Sequence, residues 1–197
     1  MAEVWRLYDA FAREYDRERP RAVMERGYLS EIVARLAKPA PILDLGCGCG
    51  EPIARFFIER GFAVTGVDAA PGMIAICRER FADAAVWIEA DMRNLDLKGR
   101  FAAIIAWDSF FHLTAAQQRA MFPIFARHCE PGSMLLFTSG PKAGEAFGNF
   151  HGHALFHASL DPEEYRALLA SSGFSVLLHR AEDPDCGGHT VWLAARH

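Results

Sequence analysis

A glycine-rich loop follows a short apolar run near residue 45. The run 42–45 carries Asp44, and the chain then continues as GCGCG. Glycines tolerate positive φ angles and let a ligand approach the backbone closely. Such a loop at the carboxyl end of a buried strand is typical of nucleotide and nucleoside sites. A tight turn for close strand–helix packing is the alternative interpretation.

Two further acids follow the next two apolar runs. Asp68 ends one run, and Asp91 comes just after the other, with Met92 beside it. A carboxylate at the first position could accept both hydroxyl groups of a ribose. A carboxylate at the second could accept from an adenine amino group, while the methionine packs on the purine face. Three acids that end three successive strands beside a glycine-rich loop predict a nucleoside site.

Alternating strand and helix patterns must position these acids. The apolar periodicity predicts strands at 42–45, 62–67, 85–89, 101–107 and 133–138, and helices at 52–60, 71–81, 114–129 and 161–169. Capping boxes are predicted from Thr114 with Gln117 and from Asp161 with Glu164. Two last strands, 174–179 and 190–195, have no helix between them. The chain is therefore predicted to be an α/β protein whose mostly parallel seven-stranded sheet ends in an antiparallel hairpin.

The remaining segments lie before and within this pattern. Helices are predicted at 3–17 and from Pro20 to about residue 37, and the glycine- and histidine-rich stretch 140–159 is predicted to be irregular. We expect a single domain over 1–197, with a helical cap at 1–38 and a substrate-side insertion at 140–159.

Composition excludes several classes of protein. The 197 residues are 51% hydrophobic and 23% charged, which is ordinary for one globular domain, and the net charge is −4. That charge argues against broad contact with nucleic acid or with an anionic membrane. The first residues carry acidic and basic side chains throughout, which is unlike a secretory signal. The apolar run 101–107 is too short to span a bilayer. Five scattered cysteines do not form a disulfide framework, which favours the cytoplasm.

Four segments together resemble the class I S-adenosylmethionine-dependent methyltransferases: DLGCGCG, VTGVDAAPGM, EADMRNLDL and IIAWDSFFHL. The resemblance covers about residues 40–138 and extends to the C-terminal hairpin. It implies a Rossmann-like doubly wound fold and S-adenosylmethionine as cofactor, with S-adenosylhomocysteine as product. The implied cofactor-binding residues are Asp44, Gly46, Cys47, Gly48, Gly50, Asp68, Ala69, Met73, Asp91, Met92 and Trp107. The opening YDAFAREYD resembles a segment that covers the cofactor, which implies lid contacts from Tyr8 and Tyr15.

The resemblance implies in-line transfer of a methyl group from a sulfonium to an acceptor. The residues that would contact the acceptor are less well defined than those that would bind the cofactor. His112 could act as a base or contact the substrate, or it could be hydrogen-bonded near a helix start. Asp108 is the other candidate catalytic residue. The histidines of HGHALFH and of the last hairpin loop could contact substrate, bind a metal or belong to polar loops, and a polar loop is favoured over a metal site; they are His151, His153, His157 and His189. No metal site is expected, because the ligand spacings do not form a set.

Three functions compete at this point. An NAD-dependent oxidoreductase would need the fingerprint G-x-G-x-x-G, but Glu51 occupies the position of its last glycine. A protein that binds the cofactor without transferase activity would carry the same cofactor residues. A methyltransferase explains the acid after the third strand and the terminal hairpin best. No Asn-Pro-Pro-Tyr-like motif follows the fourth strand and no basic stripe is present, so a small-molecule acceptor is favoured over nucleic acid. We expect a monomer or homodimer.

Overall fold

A seven-stranded sheet forms the centre of the computed structural model, which describes residues 3–197. Its strand order is β3-β2-β1-β4-β5-β9-β8, with β1 to β5 parallel and β9 antiparallel to both neighbours. The strands are β1 (Pro41–Leu45), β2 (Ala63–Asp68), β3 (Val86–Glu89), β4 (Phe101–Ala106), β5 (Cys129–Ser139), β8 (Phe174–Asp183) and β9 (His189–Arg196). This confirms the predicted doubly wound sheet with its C-terminal antiparallel hairpin.

Helices cover both faces of the sheet. They are α1 (Trp5–Ala10), α2 (Ala12–Glu18), α3 (Arg26–Val33), α4 (Ile53–Ile58), α5 (Pro71–Phe81), α6 (Ala115–Arg127) and α7 (Pro162–Ser171). One apolar core packs α3, α4 and α5 on one face, and a second packs α6 and α7 on the other. Among residues 3–197, no helix has the length and apolarity needed to cross a membrane. Burial on both faces explains why the parallel strands have continuous apolar runs.

The strand order reverses between β1 and β4, and this reversal locates the site. From β1 the chain proceeds outward to β2 and β3, whereas β4 pairs with the opposite side of β1. The register places Asp44 beside Gly66 and Asp68 beside Glu89, so both acids lie at the carboxyl ends of their strands. Open α/β sheets bind ligands in the crevice that such a reversal creates.

The prediction of an irregular segment at 140–159 is wrong. Strands β6 (Gly144–Phe150) and β7 (His153–Ser159) form a separate two-stranded antiparallel sheet. Its two-residue turn has φ of 50° at His151 and 81° at Gly152. Two positive φ angles define the hairpin turn whose twist matches that of the strands it joins. The histidine at the first turn position hid this signal, since Asn or Asp normally precedes the glycine there.

The N-terminal helices are shorter than predicted. The first periodic segment is divided into α1 and α2 at Phe11, and the second forms a helix only from residue 26 to 33. Arg21 bends back and donates to the backbone oxygen and a carboxylate oxygen of Asp16. These bonds hold the segment before α3 as a turn rather than a helix.

One of the two predicted capping boxes is present. Thr114 and Gln117 exchange both bonds at the start of α6. At α7 the side chain of Asp161 accepts from the backbone of Glu163, whereas Glu164 binds Arg119 instead of completing a box. The second box is therefore wrong, because a cross-helix ion pair takes the carboxylate.

A buried polar network fixes the end of β7 to α6 and α7. The hydroxyl of Tyr165 donates to Oε1 of Gln118 at 2.5 Å and accepts from the backbone nitrogen of Leu160 at 3.1 Å. The amide nitrogen of Gln118 donates to the carbonyl oxygens of Leu113 and Ala158, each at 2.9 Å. Both side chains are fully buried. The network therefore positions the hairpin relative to the sheet.

Replacement of Tyr165 by Phe should lower the free energy of unfolding by ~1–3 kcal/mol, because it leaves a buried amide oxygen and a buried N–H without partners. Urea unfolding followed by circular dichroism measures the change. The exposed variant Ser171→Ala is the control and should change stability by less than about 0.5 kcal/mol. Equal stability of Tyr165→Phe and the unmodified chain would contradict the structural importance of the network.

Candidate active site

A cavity of about 910 Å³ lies at the carboxyl ends of the strands. The glycine loop and the ends of β2 and β4 line one side, and helix α1 with Tyr15 of α2 lines the other. Many of the residues predicted for the site line this cavity: Tyr8, Tyr15, Gly46, Gly48, Asp68, Ala69, Met73, Asp91, Met92, Asp108, His112, His157 and His189. The structure thus brings together residues from both ends of the sequence.

Four of the predicted residues near the strands lie behind the cavity wall. The side chain of Cys47 belongs to the core. A Cβ at Gly50 would lie 2.6 Å from the ring of Phe81, so this glycine serves packing. Trp107 is 4% exposed and stacks on His189 with 5.4 Å between ring centroids. Asp44 is also buried.

Two of the predicted histidines lie outside the cavity. His151 stacks on Phe11 with ring centroids 4.8 Å apart and planes at 10°. His153 lies 5.5 Å from the same ring. Both therefore join the β6–β7 hairpin to the N-terminal helices, and only His157 of this group reaches the cavity.

The Asp68 carboxylate is bonded to the glycine loop and to the start of α5. It accepts from the backbone nitrogens of Gly48 and Ala70, each at 2.9 Å. Burial raises the pKa of Asp68, and these two N–H groups oppose the shift. Each carboxylate oxygen keeps a second lone pair, so a pair of ligand hydroxyls can still be accepted.

Asp44 is a buried carboxylate without a partner. It is 3% exposed, and within residues 3–197 its side chain forms no hydrogen bond. Burial raises its pKa to about 7, and the nearby carboxylates Asp68 and Glu25 add to the shift. Such a group favours a cationic or hydrogen-bond-donating ligand.

Asp91 already has a cationic partner. Arg93 donates to both of its carboxylate oxygens and also reaches Glu3 at 3.3 Å. Burial raises the pKa of Asp91, but the bonds from Arg93 outweigh it and hold that pKa below its usual range. An amino group bound here must share the carboxylate with this arginine.

Gly46, the first glycine of the loop, lets the segments that follow β1 and β4 approach each other closely. Gly46 has φ of 73°, and a Cβ there would lie 2.2 Å from the Cβ of Ser109. The hydroxyl of Ser109 donates to the carbonyl of Leu45 at 2.6 Å. The segment after β4 is therefore attached directly to the loop after β1.

His112 has both ring nitrogens engaged. Its Nδ1 lies 2.9 Å from the carbonyl oxygen of Phe156, which requires Nδ1 to donate. Its Nε2, 3.1 Å from the hydroxyl of Tyr8, then accepts. Burial lowers the pKa of His112 to about 4, so the ring is neutral at pH 7.

An ion pair also lines the cavity. Nε2 of His189 is 2.8 Å from Oδ1 of Asp108, and its Nδ1 is 2.7 Å from the carbonyl oxygen of Cys186. Because both neighbours are acceptors, the ring carries two protons, and the Asp108 carboxylate raises the pKa of His189. Asp108 also lies 3.7 Å from Arg19.

Several cavity residues escaped the sequence analysis. They are Arg19, Arg93, Ser109, Phe111 and Phe156. Arg93 follows Asp91 at a spacing that permits the observed pair, so its role could have been suspected. Arg19 and Phe156 reach the cavity only through the tertiary packing of the cap and the hairpin, which no local pattern encodes.

Comparisons with known proteins agree with this geometry. Residues 42–132 match the family model described as a methyltransferase domain. These residues form a methyltransferase domain. The chain is 32% identical to the Bacillus subtilis (strain 168) protein YqeM over 148 residues, which are 72% of this chain and 59% of that protein. The chain spans 48–59% of the length of the first three curated relatives it matches.

Solved methyltransferase structures share the fold. An S-adenosylmethionine-bound amino pentose methyltransferase of Micromonospora echinaspora has a TM-score of 0.73 at 20% identity, covering 95% of this chain and 97% of that one. The 1,6-didemethyltoxoflavin-N1-methyltransferase of Burkholderia thailandensis has a TM-score of 0.73 at 20% identity, covering 96% of this chain and 84% of that one. The methyltransferase fold therefore extends over nearly the whole chain.

The neutral state of His112 should make stability depend on pH. Below about pH 6.5 the unfolded chain takes up a proton that the folded ring accepts only near pH 4. The free energy of unfolding should therefore fall as the pH drops from 6.5 to 4, by up to about 3 kcal/mol from this group. Histidine NMR titration should find one ring with a pKa near 4.

The variant His112→Asn isolates this effect in urea unfolding, because it should show a shallower loss of stability across the same range. His189 contributes with the opposite sign. Its raised pKa stabilises the fold at low pH, and the contribution is lost as the pH rises above 6.5. An unshifted titration of the His112 ring would contradict the assigned bonding.

Proposed function

We propose that this protein transfers a methyl group from S-adenosylmethionine to a small-molecule acceptor. The observation that carries the proposal is the Asp68 carboxylate, which faces the cavity while two backbone N–H groups hold it beside the glycine loop. A carboxylate fixed in this way is suited to the two hydroxyls of a ribose. The family and the shared fold support the same function.

The residues of the cavity fit this cofactor. Just behind the lining, the unpartnered carboxylate of Asp44 suits an ammonium group. Gly48 leaves room for close approach of a ligand, because a Cβ there would meet only the ring of Tyr15, at 3.5 Å. Asp68 would hold the ribose, while Met73 and Met92 would flank an adenine beside Asp91. Tyr8 and Tyr15 would cover the site from the cap.

When bound, S-adenosylmethionine supplies a methyl group on a sulfonium whose leaving group is a neutral thioether, S-adenosylhomocysteine. The chain must then orient the acceptor and exclude water. Orientation alone can lower the reaction barrier by ~7–11 kcal/mol. Tyr8 and Tyr15 pack against each other with ring centroids 5.5 Å apart, and Phe150 of the hairpin lies 4.9 Å from Tyr8. The cap and the hairpin thus close the cavity together.

Asp108 and His112 act as fixed polar walls in this proposal. Asp108 is paired with His189, and its backbone nitrogen donates to Thr138 at 2.9 Å. His112 is neutral between Tyr8 and Phe156. Both groups position the acceptor or the methionine end, since their ionisable atoms are already engaged.

A small acceptor and a cytoplasmic location complete the proposal. The cavity is roofed by helices and a hairpin, and the net charge of −4 disfavours nucleic acid. All five cysteines are buried thiols, which suits a reducing compartment. We further propose a monomer or homodimer that needs no metal.

A cofactor-binding protein without transferase activity is the second candidate. Incubation with labelled S-adenosylmethionine and a metabolite extract separates the two functions. Transfer of label to an acceptor supports the methyltransferase, whereas binding without transfer supports the alternative.

Replacement of Asp68 by Asn should weaken S-adenosylmethionine binding by roughly 10- to 100-fold, since charge-assisted hydrogen bonds contribute ~1.5–3 kcal/mol each. Isothermal titration calorimetry measures the dissociation constant. The matched control Asp83→Asn changes an exposed aspartate and should leave the affinity unchanged. Unaltered binding by Asp68→Asn would refute the ribose contact.

NADH should not bind at micromolar concentration, because Glu51 occupies the position of the last fingerprint glycine. Fluorescence titration of NADH tests this, and a saturable signal would favour an oxidoreductase.

A further inference from the structure

One end of the cavity is lined by aromatic rings rather than by carboxylates. His157 of β7 lies there with its ring centroid 4.9 Å from that of His112 and 5.1 Å from that of Phe111. Phe156 and Leu113 also line this end. The acids Asp68 and Asp91 line the cavity at the ends of β2 and β3. The cavity therefore has a polar nucleoside end and an aromatic end.

His157 differs from the other two histidines of the cavity in its bonding. Within residues 3–197 neither of its ring nitrogens forms a hydrogen bond, although the ring is half-buried. In contrast, His112 and His189 have both nitrogens engaged. One edge of the ring packs over Gly148, where a Cβ would lie only 3.1 Å from Cε1. The hairpin thus holds the ring in place without using its nitrogens.

We propose that His157 is a catalytic residue that removes the proton of the acceptor, and that the acceptor is a planar aromatic compound with an O–H or a ring N–H. This inference rests on the proposed function. The rings of Phe111 and His112, whose planes are inclined at 66°, suit an aromatic ring, since offset and edge contacts between rings are favourable. The free nitrogen of His157 supplies the acceptor contact that no other cavity histidine offers.

The proposed step balances in atoms and charge. The acceptor's O–H or N–H proton passes to a ring nitrogen of His157, and the acceptor's lone pair forms the new bond to the methyl carbon. The electron pair of the broken carbon–sulfur bond stays on sulfur. The protonated His157 then releases its proton to water, which restores the neutral ring.

The surroundings of His157 favour this role. Burial lowers its pKa, and only the charge of Asp108 opposes that shift. Its titratable neighbour on the turn 110–112 is His112, which is neutral, and across β6 it faces Ala146 and Gly148, which do not titrate. The ring is therefore neutral at pH 7 and can accept a proton.

The decisive comparison uses acceptors that differ in acidity. For catechol, His157→Gln should lower kcat/KM by at least about 100-fold, the usual contribution of a general base. For 4-nitrophenol at mildly alkaline pH, where it is already ionised, the loss should stay below about 10-fold. The matched control His197→Gln changes an exposed histidine at the chain end and should leave both rates unaltered. Equal losses for both acceptors would overturn the role as a base.

Binding without turnover gives an independent readout. In the NMR spectrum of the apo protein, one histidine resonance should disappear in His157→Gln and should shift when catechol is added to the unmodified chain. The absence of that shift would overturn the contact. His157→Asn, checked by its unfolding midpoint, repeats the test if the first variant is unstable.

Failure of the inference can be told apart from failure of the proposed function. If S-adenosylmethionine binds and the extract is methylated but no aromatic acceptor is used, only the aromatic acceptor class is wrong. If the cofactor does not bind at all, the proposed function itself fails.

Discussion

The two hydrogen bonds that Asp68 accepts are the interaction on which the site depends. They connect the end of β2 to the glycine loop after β1 and to the start of α5. The loop can reach that carboxylate only because Gly48 adopts φ of 53°, a region that residues with a side chain rarely enter. The same carboxylate therefore shapes the loop and presents its remaining lone pairs to the cavity. A residue that only bound a ligand could be replaced at little structural cost, whereas this one couples binding to local folding.

The sequence predicted the sheet, and the positions of three acids at the strand ends, because these signals are local. Asp44 and Asp68 lie in the last two residues of β1 and β2, and Asp91 comes two residues after β3. Parallel pairing brings these strand ends together without further information. The prediction failed where geometry depends on distant contacts. His151 and His153 appear in sequence as part of one histidine cluster, yet the turn between them sends His157 alone to the cavity. His153 and His157 lie on the same face of β7, but four residues of strand separate them by ~13 Å, and only the hairpin pairing shows which of them reaches the cavity.

The roof of the cavity, formed by α1, α2 and the β6–β7 hairpin, is stabilised differently from its floor, which is formed by the central sheet. The floor belongs to a sheet with two apolar cores, whereas α1, α2 and the β6–β7 hairpin meet mainly through single aromatic contacts such as Phe150 with Tyr8. Asp9 accepts from the backbone nitrogen of Gly72 at 2.7 Å and so attaches the cap to the first turn of α5. A small buried cluster, in which Ala12 packs with Ala70 and Met73, and the ion pair of Asp16 with Arg80 attach the cap further to α5. The roof is therefore attached to the floor through side-chain contacts at separate points, whereas the floor is one continuous sheet.

The charges of the nucleoside end are unbalanced without a ligand. Asp44 and Asp68 have no ion pair among residues 3–197. Burial raises the pKa of both carboxyls, and the charge of Asp68 raises the pKa of Asp44 further. Asp91 and Asp108, in contrast, are paired with Arg93 and His189. A cationic ligand beside Asp44 would favour its ionised form and so draw a proton from it near neutral pH. Ligand binding and proton release are consequently linked at this end, while at the aromatic end the proposed step takes up a proton from the acceptor. The two ends of one cavity can thus handle a positive charge and a proton separately.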